Sequence, residues 1–290
     1  MSAVDYIAPT SAEAAAKALA AGGAGARALS GGTDLLVQMK SGRLAGGLIV
    51  DLKYVPGLIG IREEAGGFII GAATSGAAIG EHAALGKAWP GVVEATNLIG
   101  STQIQGRASM AGNLCNASPA ADSVPALVAA RALAVIVGPD GERTVPVEDI
   151  PVSPGKTSLA PGEFVTEIRL PARATRGGDA YLRYIPRTEM DIAVVGAGVC
   201  LALDAAGVIT AARVALGAVG PRVVLASEAA AAIVGSKLDD AALARLDAAA
   251  RAACSPISDK RGTAEFRTKI AGVLARRAAV IAYKRAGGAT

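Results

Sequence analysis

Ser30-Gly31-Gly32-Thr33-Asp34-Leu35-Leu36 and Ser109-Met110-Ala111-Gly112-Asn113 are the two stretches on which the reading of this chain turns. Each sets small residues, and so bare main chain, beside a hydroxyl or an amide. Glycine lacks a Cβ, reaches positive φ and lets another group come close to the backbone. Successive backbone N–H groups in such a turn form a concavity that binds anions. Two of them in one chain predict a dinucleotide whose pyrophosphate is clamped from two sides.

The flanks of the first stretch read as α/β. Thr10-Ser11-Ala12-Glu13 has the form of a capping box with Thr10 as N-cap, and a helix should run from it to residue 21. A strand over 27–30 leads into the glycine turn. A helix over 34–40 and a strand over 48–52 follow, an order typical of α/β folds. Residues 58–62 and 67–71 flank Glu63-Glu64-Ala65-Gly66, which predicts a hairpin. Helices are expected over 75–85 and 92–98. The second stretch is then read as another glycine loop, with a helix over 125–133 and a strand over 134–137 beyond it. The Pro- and Gly-rich residues 145–157 read as a loop.

The texture changes near Pro171. Residues 164–170 alternate like a strand, then meet the linker-like Pro171-Ala172-Arg173-Ala174-Thr175-Arg176-Gly177-Gly178. Three antiparallel strands are expected over 180–185, 192–203 and 208–216, with Asp204-Ala205-Ala206-Gly207 as one turn. Helices should occupy 225–233, 239–253 and 262–285. This divides the chain into an α/β part over 1–175 and an α+β part over 176–290.

Bulk properties narrow the function classes. With 290 residues and 52% hydrophobic content there is ample core material, but aromatics make up only 3%. That composition argues against a single-strand nucleic-acid binder, which stacks bases on aromatic rings. The net charge of +4 is spread out, with short clusters at Arg276-Arg277 and Lys284-Arg285 that read as a solvated helix face. Cys115, Cys200 and Cys254 are far apart and form no C-x-x-C. They predict neither a disulfide framework nor an iron–sulfur or zinc site, and fit a reduced, cytoplasmic protein. Met1-Ser2-Ala3-Val4-Asp5 lacks the basic and apolar regions of a signal peptide. The single histidine, His82, has no partners for a triad or a metal site and reads as a surface or helix-end residue. Cys115 and Asn116 read as structural.

The G-x-G-x-x-G fingerprint of a Rossmann site is absent. Gly196-Ala197-Gly198 imitates its start but lies inside an expected strand and lacks the third glycine. The second stretch, in contrast, is followed by Ala117-Ser118-Pro119 and Asp122. Glu167-Ile168-Arg169-Leu170-Pro171 and Arg187-Thr188-Glu189-Met190-Asp191-Ile192-Ala193 lie further on. In this collinear set the chain resembles the FAD-binding medium subunit of the molybdenum hydroxylases, the xanthine dehydrogenase and carbon monoxide dehydrogenase family. The resemblance covers essentially the whole chain.

That resemblance implies an FAD-binding domain of the vanillyl-alcohol-oxidase (PCMH) type, built of two α/β subdomains. A C-terminal domain with a three-stranded antiparallel sheet and a helical bundle would follow. Leu29, Ser30, Gly31, Gly32, Thr33, Asp34, Leu35 and Leu36 would hold the FAD pyrophosphate and ribitol together with Ser109, Met110, Ala111, Gly112 and Asn113. Ile99 and Gly100 would line the pocket. Asp122 would accept from the adenosine ribose, and Val165 and Arg183 would lie near the isoalloxazine ring. Two departures stand out. Ala111 replaces the first glycine of the family's Gly-Gly pair, and Arg183 stands where relatives often have lysine. The implied function is electron transfer. A large molybdopterin subunit and a small [2Fe-2S] subunit would be partners in a dimer of heterotrimers, and the FAD would pass electrons to NAD, a quinone, a cytochrome or oxygen. The alternatives are a free-standing FAD-dependent oxidoreductase of the same fold, or a scaffold whose FAD site has decayed.

Overall fold

The computed structural model describes residues 4–44 and 46–289; Met1, Ser2 and Ala3 of the N-terminal reading lie outside them. The chain opens with β1 (Asp5–Ile7), α1 (Ala12–Gly22), β2 (Arg27–Leu29), α2 (Leu35–Lys40) and β3 (Leu48–Asp51). β3 lies between β1 and β2 and pairs in parallel with both. Parallel neighbours need crossovers, and the segments carrying α1 and α2 supply them. The helix cap falls one residue later than the sequence suggested. Ser11, extended at φ −143° and ψ 152°, accepts from Ala14 N at 3.1 Å, so Thr10 is not the cap. Ala15, Ala16 and Leu19 are buried in the core of this part.

A second layer begins with β4 (Ile61–Glu64) and β5 (Gly67–Gly71). Ala65 and Gly66 join them with φ of 50° and 76°, the left-handed pair that a two-residue hairpin turn requires. Six short helices follow: α3 (Gly76–Glu81), α4 (Ala83–Ala88), α5 (Pro90–Thr96), α6 (Thr102–Gln105), α7 (Met110–Cys115) and α8 (Ser123–Ala129). The single helix expected over 75–85 is split at His82. Its Nδ1 accepts from Leu85 N at 3.1 Å and so caps α4, the helix-end role expected of it. β6 (Leu133–Gly138), β7 (Gly141–Pro146), β8 (Pro151–Ser153), β9 (Lys156–Thr157) and β10 (Phe164–Leu170) come next. The five-stranded sheet runs β4-β5-β10-β6-β7, antiparallel throughout. The loop expected over 145–157 is in fact the end of β7 and the small β8–β9 hairpin.

After the linker, β11 (Gly177–Tyr184), β12 (Val195–Leu203), β13 (Ile209–Gly217) and β14 (Val224–Leu225) form an antiparallel sheet in that order. Three long strands match the expectation. The two-residue β14 is a fourth, pairing Ala215 with Leu225 at the edge where a helix was expected to begin. α9 (Ser227–Ala231), α10 (Asp240–Ala252) and α11 (Ala264–Arg285) complete the chain. Small residues let these layers approach closely. A Cβ added at Gly178 on β11 would lie 1.8 Å from the Ala282 carbonyl oxygen of α11. The two parts share apolar packing: Tyr181, Ala215 and Val223 belong to the same core as Leu127, Ile136 and Ile168.

Candidate functional site

Residues 30–34 turn the chain from β2 into α2. Gly32 sits at φ +78°, where an L side chain is strained, and an added Cβ would also lie 2.8 Å from Leu29 Cδ1. Gly31 is needed for a different reason. A Cβ there would lie 1.8 Å from the Arg107 carbonyl oxygen. Its bareness lets the first turn close onto the segment leading to the second, a contact that the sequence reading assigned to a ligand.

The second stretch is not a loop. It is α7, whose N-cap Ser109 is extended at φ −125° and ψ 156° and accepts from Gly112 N at 3.0 Å. Ala111 occupies an ordinary helical position, so its methyl group does not disturb the backbone there. Ser30 Oγ and Ser109 Oγ are 2.9 Å apart. Ser30 spends its one hydroxyl proton on the Ala72 carbonyl at 3.2 Å, so Ser109 is the donor between them. The two turns are thus fastened to each other by main-chain contact and by hydroxyls.

Lys53, which the sequence reading passed over, fixes the first turn from behind. Its Nζ donates to the Ser30 carbonyl at 3.1 Å and to Asp51 Oδ1 at 2.6 Å, and Tyr6 Oη donates to Asp51 Oδ2 at 2.7 Å. In a trans peptide the C=O and the following N–H point in opposite directions. Holding the Ser30 carbonyl therefore directs the Gly31 N–H away from Lys53. The backbone N–H groups of Gly31, Gly32, Thr33, Asp34 and Leu35 have no acceptor among the described residues.

These two turns enclose a cleft of about 450 Å³. Leu29, Ser30, Gly31, Gly32, Thr33, Asp34 and Leu35 line one side. Ser109, Ala111, Gly112 and Asn113 line another, with Ile99 and Val165 also contributing. Asn113 Oδ1 accepts from Ser123 N and Oγ at 3.1 and 2.7 Å, which leaves its amide N–H groups without a protein acceptor. Val165 is buried next to a bulge in the β10–β6 pairing. A row of unpaired donors along a bare backbone fits a pyrophosphate.

Five residues named from the sequence do not line this cleft. Leu36 is 47% exposed on the surface of α2, Met110 is buried in the core, and Gly100 turns the chain at φ +64° beside Ile99. Asp122 and Arg183 pair with each other. Arg183 Nη1 donates at 2.8 Å to both Asp122 Oδ2 and the Leu98 carbonyl, and Tyr181 Oη donates to Asp122 Oδ1 at 3.2 Å. Burial raises the Asp122 carboxyl to about 6, against the lowering effect of Arg183 and Tyr181. Asp122 and Arg183 thus stand outside the cleft as one bonded cluster with Tyr181, rather than as two separate lining residues. Conversely, Gln38 and Asn116 line the cleft and bond to each other at 2.9 Å, and Glu163 and Phe164 also reach it. Gln38 was findable, since it lies one helical turn beyond Asp34 and shares its face. Asn116, which the sequence suggested was merely structural, is part of the lining.

A mixed α/β layer carrying a donor-lined, glycine-built cleft, followed by an α+β layer, fits a dinucleotide-binding protein. Comparison with known proteins supports this class and specifies it. Residues 2–173 match the FAD binding domain in molybdopterin dehydrogenase, and residues 180–281 match the CO dehydrogenase flavoprotein C-terminal domain. The carbon monoxide dehydrogenase medium chain of Afipia carboxidovorans is 37% identical over 97% of both chains. The xanthine dehydrogenase FAD-binding subunit of Escherichia coli O157:H7 is 29% identical over 91% of this chain and 90% of its own. A chain of the reconstituted CO dehydrogenase from Oligotropha carboxidovorans superposes with a TM-score of 0.93 at 35% identity, covering 98% of each. The chain belongs to the family of FAD-binding medium subunits of the molybdenum hydroxylases. It is an FAD-dependent oxidoreductase subunit.

Proposed function

We propose that this chain takes electrons from [2Fe-2S] clusters on a small partner subunit and passes them to an external acceptor: NAD, a quinone, a cytochrome or oxygen. A large molybdopterin subunit would carry out the substrate oxidation, and the whole would assemble as a dimer of heterotrimers in the cytoplasm. The relatives are medium chains and FAD subunits of such dehydrogenases, which supports the partnership. No described helix is long and apolar enough to cross a membrane. We also propose that the FAD-binding domain ends near residue 175, at the linker before β11.

FAD, when bound, supplies a centre that handles both one-electron and two-electron steps. The chain's own residues hold it in place. Gly31, Gly32, Thr33, Asp34 and Leu35 offer main-chain donors to the pyrophosphate oxygens, and the Asn113 amide approaches from the other wall. Ser109 caps α7 and, through Ser30, sets the width of the gap. Ile99 and Val165 supply apolar walls that exclude water. Leu36, Met110 and Gly100 support the cradle from outside the cleft. Arg183, locked to Asp122 and the Leu98 carbonyl outside the cleft, fixes the chain that leads to Ile99.

The observation that carries this reading is the row of acceptor-free N–H groups held against α7 by the Ser30–Ser109 contact. Replacing Gly32 by valine should abolish FAD retention while the molybdenum and iron contents of the purified complex stay normal. Unchanged FAD occupancy would remove the site assignment.

A further inference from the structure

On the reading that the cleft holds FAD, we propose that the amides of Gln38 and Asn116 hold the adenine base of the cofactor by its amino edge. Gln38 stands on α2, and Asn116 is the C-cap of α7. Gln38 Nε2 donates to Asn116 Oδ1 at 2.9 Å, so their bond runs from one wall of the cleft to the other. Leu44 N donates to the Gln38 carbonyl at 3.3 Å, and Gly155 N donates to the Ala117 carbonyl at 3.1 Å. Leu44 and Gly155 also line the cleft, so they flank the pair.

The acceptor-free N–H groups of residues 31–35 stand between two ends of the cleft. Ala72 and Ala108 lie at one end, beside Ser30 and Ser109. Gln38 lies at the other, one helical turn beyond Asp34. With the pyrophosphate on those N–H groups, one ring system of the dinucleotide falls at each end. The flavin ring must exchange electrons with other groups, whereas the base takes no part in that exchange. The wall-to-wall bond closes the Gln38 end, which suits the base and leaves the other end to the flavin.

Both amides keep unused groups. Gln38 Oε1 and Asn116 Nδ2 have no hydrogen-bond partner among the described residues, and both residues are half-buried in the cleft lining. Exchanging oxygen and nitrogen in both amides changes only which residue owns them: one carbonyl and one NH2 group stay free. Adenine offers its N6–H donor beside a ring-nitrogen acceptor, the edge that an amide carbonyl and an amide N–H read together. A phosphate has acceptors only and would leave the free carbonyl unpaired. A ribose hydroxyl is matched by a carboxylate, and neither residue of the pair carries one.

The test compares FAD with 1,N6-etheno-FAD, in which the amino edge of the adenine is blocked, and with FMN, which has no adenine. The full chain, purified with the subunits that accompany it and stripped of flavin, is titrated with each while flavin fluorescence is followed. The wild type should bind FAD about tenfold or more tightly than etheno-FAD, the discrimination expected of an amide pair on an adenine edge. Gln38→Met, close in size and a good helix former, should weaken FAD by about tenfold and leave etheno-FAD and FMN unchanged, so that the preference collapses. Asn116→Ala should act in the same direction. Equal affinity of the wild type for FAD and etheno-FAD would overturn the proposal, and so would a full preference kept in both variants. Variants that lose FMN as much as FAD would overturn it too, since the pair would then shape the whole cleft. A wild type that binds neither dinucleotide would instead remove the flavin reading itself.

Discussion

Single side chains set the geometry of the flavin cradle, and Lys53 tests that most sharply. Its hold on the Ser30 carbonyl orients the Gly31 N–H. Lys53→Met should weaken FAD binding by about tenfold, the scale of one hydrogen bond from a charged group. Binding of riboflavin, which has no pyrophosphate, should be unchanged; an equal loss for both ligands would show general damage. Asp122 gives a pH prediction. Its carboxyl is raised to about 6 in the folded chain by burial. A raised carboxyl means that the folded state favours the proton, so this group's contribution to stability is fully present below its unfolded value and is lost as pH rises through about 6. Asp122→Asn, which is neutral at every pH, should therefore gain on the wild type as pH is raised from about 4 to about 7 in chemical denaturation. A gap that is flat, or that moves the other way, would show that the Arg183 pairing dominates instead.

At the scale of elements, α7 and the β11–α11 contact carry the predictions. Removing the cap by Ser109→Ala should cost about 1 kcal/mol in denaturant melts. It should also lower FAD affinity, because the same hydroxyl holds Ser30. Gly178→Ala places a methyl group against the Ala282 carbonyl and should destabilise the chain by about 1–3 kcal/mol through overpacking. A thermal melt unchanged by this substitution would mean that α11 can shift without loss. Much of this level was legible in the sequence. The β2–turn–α2 unit, β10, the β11–β13 meander and α11 followed from alternation, helical periodicity and turn residues. What was not legible had local causes. Ser109-Met110-Ala111-Gly112-Asn113 reads as a loop because Gly and Asn are poor helix formers, yet the N-cap serine and burial of Met110 and Leu114 make it helical. The helix expected over 75–85 breaks because His82 caps a new one. β14 is too short to leave a pattern. The cleft's backbone was legible from its glycines, whereas Lys53 and Gln38 needed the fold to bring distant segments together. Asp122 and Arg183 were named singly, and nothing in their spacing showed that they pair.

For the whole molecule, the likeness to carbon monoxide dehydrogenase and xanthine dehydrogenase subunits spans nearly the full chain in sequence and in structure. The proposed division of labour gives this chain the flavin and leaves molybdenum and iron to its partners. The most direct measurement is the visible spectrum and acid-released cofactor of the chain, purified by a tag from its native host together with whatever accompanies it. The account predicts a flavin spectrum, released FAD in equimolar amount to the chain, and iron and molybdenum in co-purifying subunits. A preparation without FAD, and unable to take it up when FAD is added back, would contradict it.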